Sequence, residues 1–202
     1  MIPGCEKSWE ELLLIDPRDI CQRAEVEYRK KQREYLLRSF NSEFIISLDK
    51  REIKPTSESN SRWLPGIEEI FELSALQYII LAKSIAPSGR LVNPGDLKGG
   101  DIFFKGSHIL HLDPIAKKYG NSLKDFLLAG ELLGGKVLSF GDASVELRPF
   151  PKIPVTLILW KEDEEFPSRI NLLFDSTVDQ HLPIDILWAI AMITIRAFHW
   201  FE

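Results

Sequence analysis

Cysteine is scarce in this sequence: Cys5 and Cys21 are the only two in 202 residues. A pair of thiols near the N-terminus permits one disulfide but not a disulfide framework. Two thiolates are also too few for a four-cysteine zinc site or an iron–sulfur cluster. Neither cysteine has a histidine beside it in the sequence, so the chain shows no local Cys–His nucleophile motif.

An excess of positive charge is missing as well. The chain has 25 Lys and Arg against 30 Asp and Glu, which gives a formal net charge of −5. A protein that binds nucleic acid needs a basic face for the phosphates. The one basic cluster, Arg29 to Arg33, is typical of a solvated turn or helix end. The composition therefore predicts no nucleic-acid partner.

No apolar run is long enough for a membrane span. In the most apolar segment, Ile184 to Phe201, the uninterrupted stretch covers only Ile186 to Ile195, well short of the ~20 residues that a span needs. A helix that is apolar on nearly every side is typical of a core helix or a dimer interface. The first residues also lack the basic segment of a signal peptide. We therefore expect a cytoplasmic protein that does not enter a membrane.

Recognisable catalytic motifs are lacking too. There is no Gly-x-Ser-x-Gly elbow, and the pairs Gly99–Gly100 and Gly134–Gly135 match neither a phosphate loop nor a dinucleotide fingerprint. These glycines are typical of turns. Strands and helices do not alternate in the βαβ manner of a Rossmann or barrel enzyme. The sequence thus leaves catalysis open and favours a protein without it.

The patterns that are present predict a single α+β domain over residues 1–202, a mainly antiparallel β-meander packed with helices. Ser8 and Glu11 form a capping-box pattern at the first helix, and Asp16–Pro17 begins a second. Apolar spacing predicts a long helix over Ile67 to Ile85, and the last helix is the very apolar C-terminal segment. The predicted strands are Tyr35 to Phe40, Glu43 to Leu48, Val137 to Phe140, Val145 to Pro149, Val155 to Lys161 and Arg169 to Phe174.

Acidic residues lie at the ends of the meander strands. Neighbouring hairpin ends meet, so some of these acids are expected to gather at one rim, where paired carboxylates could act as acid and base or bind a cation. The alternative is a solvated turn whose charges protect the sheet edges. The acids in question are Asp142, Asp163, Glu164, Glu165 and Asp175. Trp160 and Phe166 flank the acidic turn and are predicted to be buried.

His108 and His111 precede Asp113 in the spacing H-x-x-H-x-D, after a predicted strand at Ile102 to Phe104. Two imidazoles and a carboxylate could hold a divalent ion. A loop histidine pair without further ligands is more typical of surface or hydrogen-bonded histidines, so no metal site is predicted.

The run LAKSIAPSGRLVNPGDLKGGDIFFKGSHILHLDPIAKKYG and the later elements LGGKVLSFGDASVELRPFPKIPVTLILWKEDEEFPSRINLLFD and LPIDILW resemble domain-of-unknown-function family 3786, of anaerobic bacteria and archaea. The resemblance implies no established activity. Some relatives carry an extra four-cysteine cluster-binding segment, and that segment implies a setting in redox or cofactor metabolism. This chain lacks those cysteines, so the cluster role does not carry over to it. The residues that match the family's recurrent pattern are Gly99, Gly100, His108, Gly134, Gly135, Gly141, Asp142, Trp160, Asp163, Glu164, Glu165, Phe166 and Asp175.

From the residues and this resemblance we expect a non-catalytic protein that binds a cofactor or small molecule between the meander and the long helix. A tetrapyrrole, haem or a corrinoid, is the specific version, with His108 as axial ligand. One alternative is an interaction module or homodimer that uses the C-terminal helix, and another is a hydrolase or lyase that uses the acidic rim. The predicted site residues are His108, Asp142, Trp160, Asp163, Glu164, Glu165 and Asp175.

Overall fold

The computed structural model describes residues 3–200 of the chain, and across these residues it has eight α-helices and two antiparallel sheets. Short 3-10 turns at Ser59–Ser61, Pro94–Asp96 and Gly106–His108 complete the helical part. The α+β class predicted from the sequence is confirmed. The helices are α1 Pro3–Leu12, α2 Pro17–Ala24, α3 Glu68–Leu81, α4 Gly100–Phe103, α5 Asp113–Tyr119, α6 Leu123–Leu132, α7 Val178–His181 and α8 Ile184–Trp200.

The first sheet has four strands in chain order, β1 Glu27–Arg29, β2 Glu34–Ser39, β3 Ser42–Ser47 and β4 Glu52–Pro55. The strands predicted at Tyr35 to Phe40 and Glu43 to Leu48 form the hairpin at its centre, because Ser39 pairs with Ser42 and Glu34 with Ser47. Phe40 takes a positive φ of 54° to close this tight turn. The outer strands were not predicted from the sequence, since each is short and polar.

The second sheet contains the meander. Its order is β5-β9-β8-β7-β6, with β5 Leu91–Val92, β6 Lys136–Leu138, β7 Ala143–Phe150, β8 Ile153–Trp160 and β9 Arg169–Asp175. Residues Ile153 to Leu159 of β8 are all buried, as the apolar residues on both faces of that strand predict for a central position. The four strands predicted in this region are confirmed.

Aromatic side chains join the two sheets through helix α3. Trp63 lies against Phe40, Phe44 and Phe71, with ring centroids 5.2, 6.0 and 5.5 Å away. Phe150 at the end of β7 stacks on Tyr78 of α3 with centroids 4.9 Å apart. The buried apolar residues form one cluster that runs through both sheets and the helices. Side chains therefore fill the space between α3 and the end of the meander where a ligand was expected.

Helix α8 is a core helix. It contacts α3, α5 and β7, and the hydroxyl of Tyr119 donates to the carbonyl of Phe198 at 3.0 Å. Its buried residues are Ile186, Leu187, Ala189, Ile190, Ala191, Ile193, Thr194, Ala197 and Phe198. Much of its apolar surface is thus covered by the chain itself. Along residues 3–200, no helix combines the length and the apolarity needed to cross a membrane.

Three local predictions were wrong. Ser8 is not an N-cap, because α1 begins at Pro3 and the Ser8 hydroxyl donates to the Gly4 carbonyl at 2.8 Å inside the helix. Helix α3 ends at Leu81 rather than Ile85, since Ala82 turns to an extended ψ of 140°. The predicted strand at Ile102 to Phe104 falls mostly in α4, which the Gly99–Gly100 pair begins.

Candidate functional site

The acidic residues divide between the two ends of the second sheet. In the register of β8 and β9, Trp160 lies opposite Arg169 and Val155 opposite Phe174. The turn with Asp163, Glu164 and Glu165 therefore lies at one end of the sheet, and Asp175 lies at the other. Asp142 lies at the same end of the sheet as the acidic turn, because Ala143 pairs with Leu159. In an antiparallel meander, successive connections lie at alternate ends of the strands. Asp175 therefore does not join the predicted rim.

The acidic turn is built around Asp163. Its Oδ1 accepts the backbone N–H groups of Glu165 at 2.9 Å and Phe166 at 2.8 Å. These hydrogen bonds hold the pKa of Asp163 below its ordinary value. Glu164, Glu165 and Phe166 are exposed, so the prediction that Phe166 is buried was wrong. Asp163 stabilises its own turn and stays ionised, which does not suit a general acid.

Asp175 is buried and fully engaged in hydrogen bonds. Its Oδ1 accepts from the Thr177 backbone N–H at 2.9 Å and hydroxyl at 2.6 Å. Its Oδ2 accepts from Gly89 N at 2.6 Å and from the Ser88 hydroxyl at 3.1 Å. Burial alone would raise the pKa of Asp175, but the hydrogen bonds from Thr177, Ser88 and Gly89 outweigh it and keep the pKa low. This carboxylate ties the segment after α3 to the end of β9, a structural role.

Trp160 lies at the exposed end of β8. It is 38% exposed, so the prediction that it is buried was wrong, although it still pairs with Arg169 of β9. The indole Nε1 donates to Oδ1 of Asn171 at 3.1 Å, and the guanidinium of Arg169 lies 5.2 Å from the ring centroid. Trp160 thus positions Asn171 on the surface of β9.

Because Trp160 is part of the surface, we expect Trp160→Ala to lower the free energy of unfolding by only about 1 kcal/mol, the size of an exposed cation–π contact and some lost packing. Urea denaturation measures this value. Asp163→Asn combined with Glu164→Gln should change the free energy of unfolding by no more than about 0.5 kcal/mol, because an asparagine Oδ1 can still accept both N–H groups of the turn. A loss of about 3 kcal/mol or more in Trp160→Ala would contradict the surface assignment, as would unfolding of the charge-neutral variant.

His108 is half-buried in an aromatic cluster. Its ring stacks on Phe103 with centroids 4.3 Å apart and meets the edge of Trp188 at 5.3 Å. The indole of Trp188 donates to the His108 carbonyl at 3.0 Å. Within residues 3–200, no group of three or more His, Cys, Asp or Glu side chains could hold a metal ion. The stacked ring packs against its neighbours, and this geometry does not favour His108 as an axial ligand.

A cleft of about 490 Å³ opens between the 93–112 segment and strand β9. We call it the β9 cleft. Its apolar lining comes from Phe104 and three leucines, and its polar lining comes from two asparagines, two aspartates and one lysine. The lining residues are Asn93, Pro94, Gly95, Asp96, Gly100, Asp101, Phe104, Lys105, Leu110, Leu112, Asn171 and Leu172.

Local sequence gives the β9 cleft its shape. Asn93 donates to Oδ2 of Asp96 from its side-chain amide at 3.1 Å, which closes the turn that Pro94 begins. Gly99 has a φ of 78°, in the left-handed region that glycine adopts without strain. A Cβ on Gly100 would overlap the carbonyl oxygen of Pro94. The Gly99–Gly100 pair therefore forms a tight turn that allows the start of α4 to pack against Pro94. It is not a phosphate loop.

The polar groups of the β9 cleft can serve both donors and acceptors. Asn171 uses its carbonyl oxygen for Trp160, and its amide N–H groups bond no other residue of the described chain. Lys105 adds a cation, and Asp96 and Asp101 add carboxylates. An organic molecule with an apolar body and mixed hydrogen-bonding groups fits such a lining.

Of the predicted site residues, only Trp160 touches this site, through its bond to Asn171. Sequence reasoning missed Asn93, Asp96, Leu110 and Asn171. The Gly99–Gly100 pair was predicted to be a turn, but nothing in the sequence showed that β9 would pair with β5 and lie beside this segment. His108 and the acids Asp142, Glu164 and Glu165 are not among the lining residues.

Comparison with known proteins identifies the family and nothing finer. The family model described as a domain of unknown function (DUF3786) matches residues 16–197, which is most of the chain. No curated protein and no solved structure matches the chain.

Proposed function

Because the chain belongs to the DUF3786 family, whose description assigns no activity, we propose its function from the site: it is a binding protein for a small organic molecule held in the β9 cleft. The observation that supports this proposal is the lining, in which an apolar floor is combined with a few polar groups of both signs. The volume of about 490 Å³ also lies within the roughly 300–1,000 Å³ of small-molecule sites.

Catalysis has less support. Asp163 bonds its own turn and Asp175 bonds the 88–89 segment, so neither is available as half of a carboxylate pair. A haem or corrinoid stays a test compound rather than the favoured ligand, since His108 packs on Phe103 outside the lining. The ligand class that we propose is a compact organic molecule that accepts a hydrogen bond from Asn171 or Lys105.

Filling the β9 cleft tests this proposal. Leu110 lines it and is half-buried, whereas Leu128 on α6 lies outside it and is 47% exposed. We expect Leu110→Trp to weaken binding at least tenfold and Leu128→Trp to leave it unchanged. A panel of small heterocycles, aromatic amides, haem and cobalamin is screened by thermal unfolding and then by calorimetry.

A ligand present at 100 times its Kd stabilises the native state by about 2.7 kcal/mol, which raises the unfolding temperature of a chain of this size by roughly 5–10 °C. That rise should occur in the wild type and in Leu128→Trp. Equal binding by all three proteins would place the ligand elsewhere and overturn the assignment of the cleft.

A further inference from the structure

A second concave surface lies at the C-terminal end of α8. It is the largest cavity of those described around the molecule, about 860 Å³. Its lining differs from that of the β9 cleft in being mainly basic, so we call it the basic groove. The lining residues are Ser59, Arg62, Lys118, Leu132, Arg196, His199 and Trp200.

The basic side chains come from three separate parts of the chain. Arg196 and His199 lie on the last turns of α8, Lys118 lies on α5, and Arg62 follows the 3-10 turn at Ser59–Ser61. Lys118 Nζ donates to the His199 carbonyl at 2.8 Å. The Arg196 guanidinium donates to the Pro65 carbonyl at 3.4 Å and lies 5.1 Å from the Trp200 ring centroid. Tertiary contacts, not one helical repeat, bring these groups together.

The ordinary explanation of such cations is attraction to the exposed carbonyls at a helix C-terminus. It accounts for Lys118, which bonds one of them. It does not account for Arg62 and Arg196, which pair with no carboxylate of residues 3–200. In a chain of net charge −5, carboxylates outnumber cations, so two unpaired arginines in one concavity need another reason.

The charge around the groove is one-sided. Among residues 3–200 its lining contains no acidic residue, and Glu58 and Glu68 line the neighbouring cavity that shares Arg62 and Trp200. Glu68 is engaged by the Gly66 N–H at 2.8 Å. Burial lowers the pKa of His199, and the charges of Lys118 and Arg196 lower it further. The groove therefore carries a positive potential that an anion would relieve.

We propose that the basic groove binds a small polyanion, a molecule with clustered phosphate or carboxylate groups. A guanidinium group binds such an oxyanion through two parallel hydrogen bonds. Arg62 and Arg196 supply two guanidinium groups to the groove from separate parts of the chain. Trp200, 39% exposed, offers an apolar wall for the body of the ligand. This site is separate from the β9 cleft and does not depend on the proposed function.

Calorimetric titration with inorganic pyrophosphate, and separately with citrate, tests the site at low salt, where screening is weak. We expect at least one probe to bind the wild type, and we expect binding to weaken at least tenfold in Arg62→Gln/Arg196→Gln. The matched control is Arg90→Gln, an exposed arginine outside the groove, which should bind like the wild type. Circular dichroism checks that each variant is folded.

The pKa of His199 provides a second test that needs no substitution of the two arginines. In NMR titrations of the wild type, the bound anion should raise the pKa of His199, because it opposes the positive charges of Lys118 and Arg196. Failure of both probes to bind the wild type overturns the proposal. Equal binding by the double variant, or an unchanged pKa of His199 under saturating probe, overturns it as well.

Discussion

Asp175→Ala is expected to lower the free energy of unfolding by about 3–4 kcal/mol, among the largest effects of any single substitution in this chain. The carboxylate is 1% exposed and accepts the backbone N–H groups of Ser88, Gly89 and Thr177. Removal leaves the backbone N–H and the hydroxyl of Thr177 unpaired in a buried place, at a cost of about 1–3 kcal/mol for each. The N–H groups of Ser88 and Gly89 lie in an exposed segment, where water can replace the carboxylate. Urea denaturation at pH 7 measures the loss.

The stabilisation by Asp175 is expected to depend on pH and to be lost as the pH falls. The folded pKa of Asp175 is below its ordinary value, while the unfolded chain has an ordinary value near ~3.9. The unfolded state therefore takes up the proton first as the pH falls, and the stabilisation is lost through the folded pKa. The stability difference between wild type and Asp175→Asn should be constant above about pH 5 and shrink below about pH 4.

Asp142 is the matched control. It is an exposed aspartate whose Oδ2 accepts one backbone N–H, from Lys161 at 3.0 Å, and Asp142→Asn should change the free energy of unfolding by no more than about 0.5 kcal/mol. If Asp175→Ala were equally mild, its hydrogen bonds would not stabilise the fold. Asp175 would then return to the list of functional acids.

Trp63→Ala is the second large effect, with an expected loss of about 3–5 kcal/mol. The side chain is fully buried and contacts rings from β3, α3 and the β2–β3 turn. Truncation leaves a cavity where the first sheet meets α3, and the surrounding rings are held by separate elements that cannot collapse into it. Thermal and urea unfolding measure the loss.

Trp200→Ala is the matched control for Trp63, since Trp200 is 39% exposed at the end of α8. Its loss should be about 1 kcal/mol or less. Similar values for the two variants would mean that the Trp63 site repacks, and that the aromatic cluster is not the junction between the first sheet and the helices.

Strand patterns were the most reliable guide to this fold. Apolar residues on both faces of Val155 to Trp160 predicted a central strand, and burial of Val155 to Leu159 bears this out. The β-branched and aromatic residues of Tyr35 to Phe40 and Glu43 to Leu48 likewise predicted two strands, which pair with each other across the turn at Asn41. Such local patterns are read correctly because they depend on the period of the side chains and on turn chemistry.

Features that depend on distant partners could not be predicted. Trp160 continues the apolar pattern of β8, yet it remains 38% exposed, and its ring is partly covered by the polar side chains of Arg169 and Asn171. Nothing in the sequence distinguishes Lys152 from a surface lysine, but it is buried and donates to the Lys83 carbonyl at 3.0 Å. Asp175 and the acidic turn were expected at one rim, but they lie at the two ends of strand β9 and therefore at opposite ends of the sheet.

The same limit applies to the β9 cleft and to the basic groove. Asn171 is one polar residue in a strand until the 93–112 segment is placed beside it. Arg62 and Arg196 are 134 positions apart in the numbering, and only the packing of α8 against the rest of the chain places both in one groove.

The most direct test of the central claim is an amide NMR spectrum of the ¹⁵N-labelled protein with and without the strongest ligand of the screening panel. We predict that the shifts concentrate on the lining of the β9 cleft, at Gly95, Gly100, Lys105 and Asn171, and that the basic groove is unaffected. Shifts confined to other surfaces, with the β9 cleft unchanged at saturation, would contradict the proposed function.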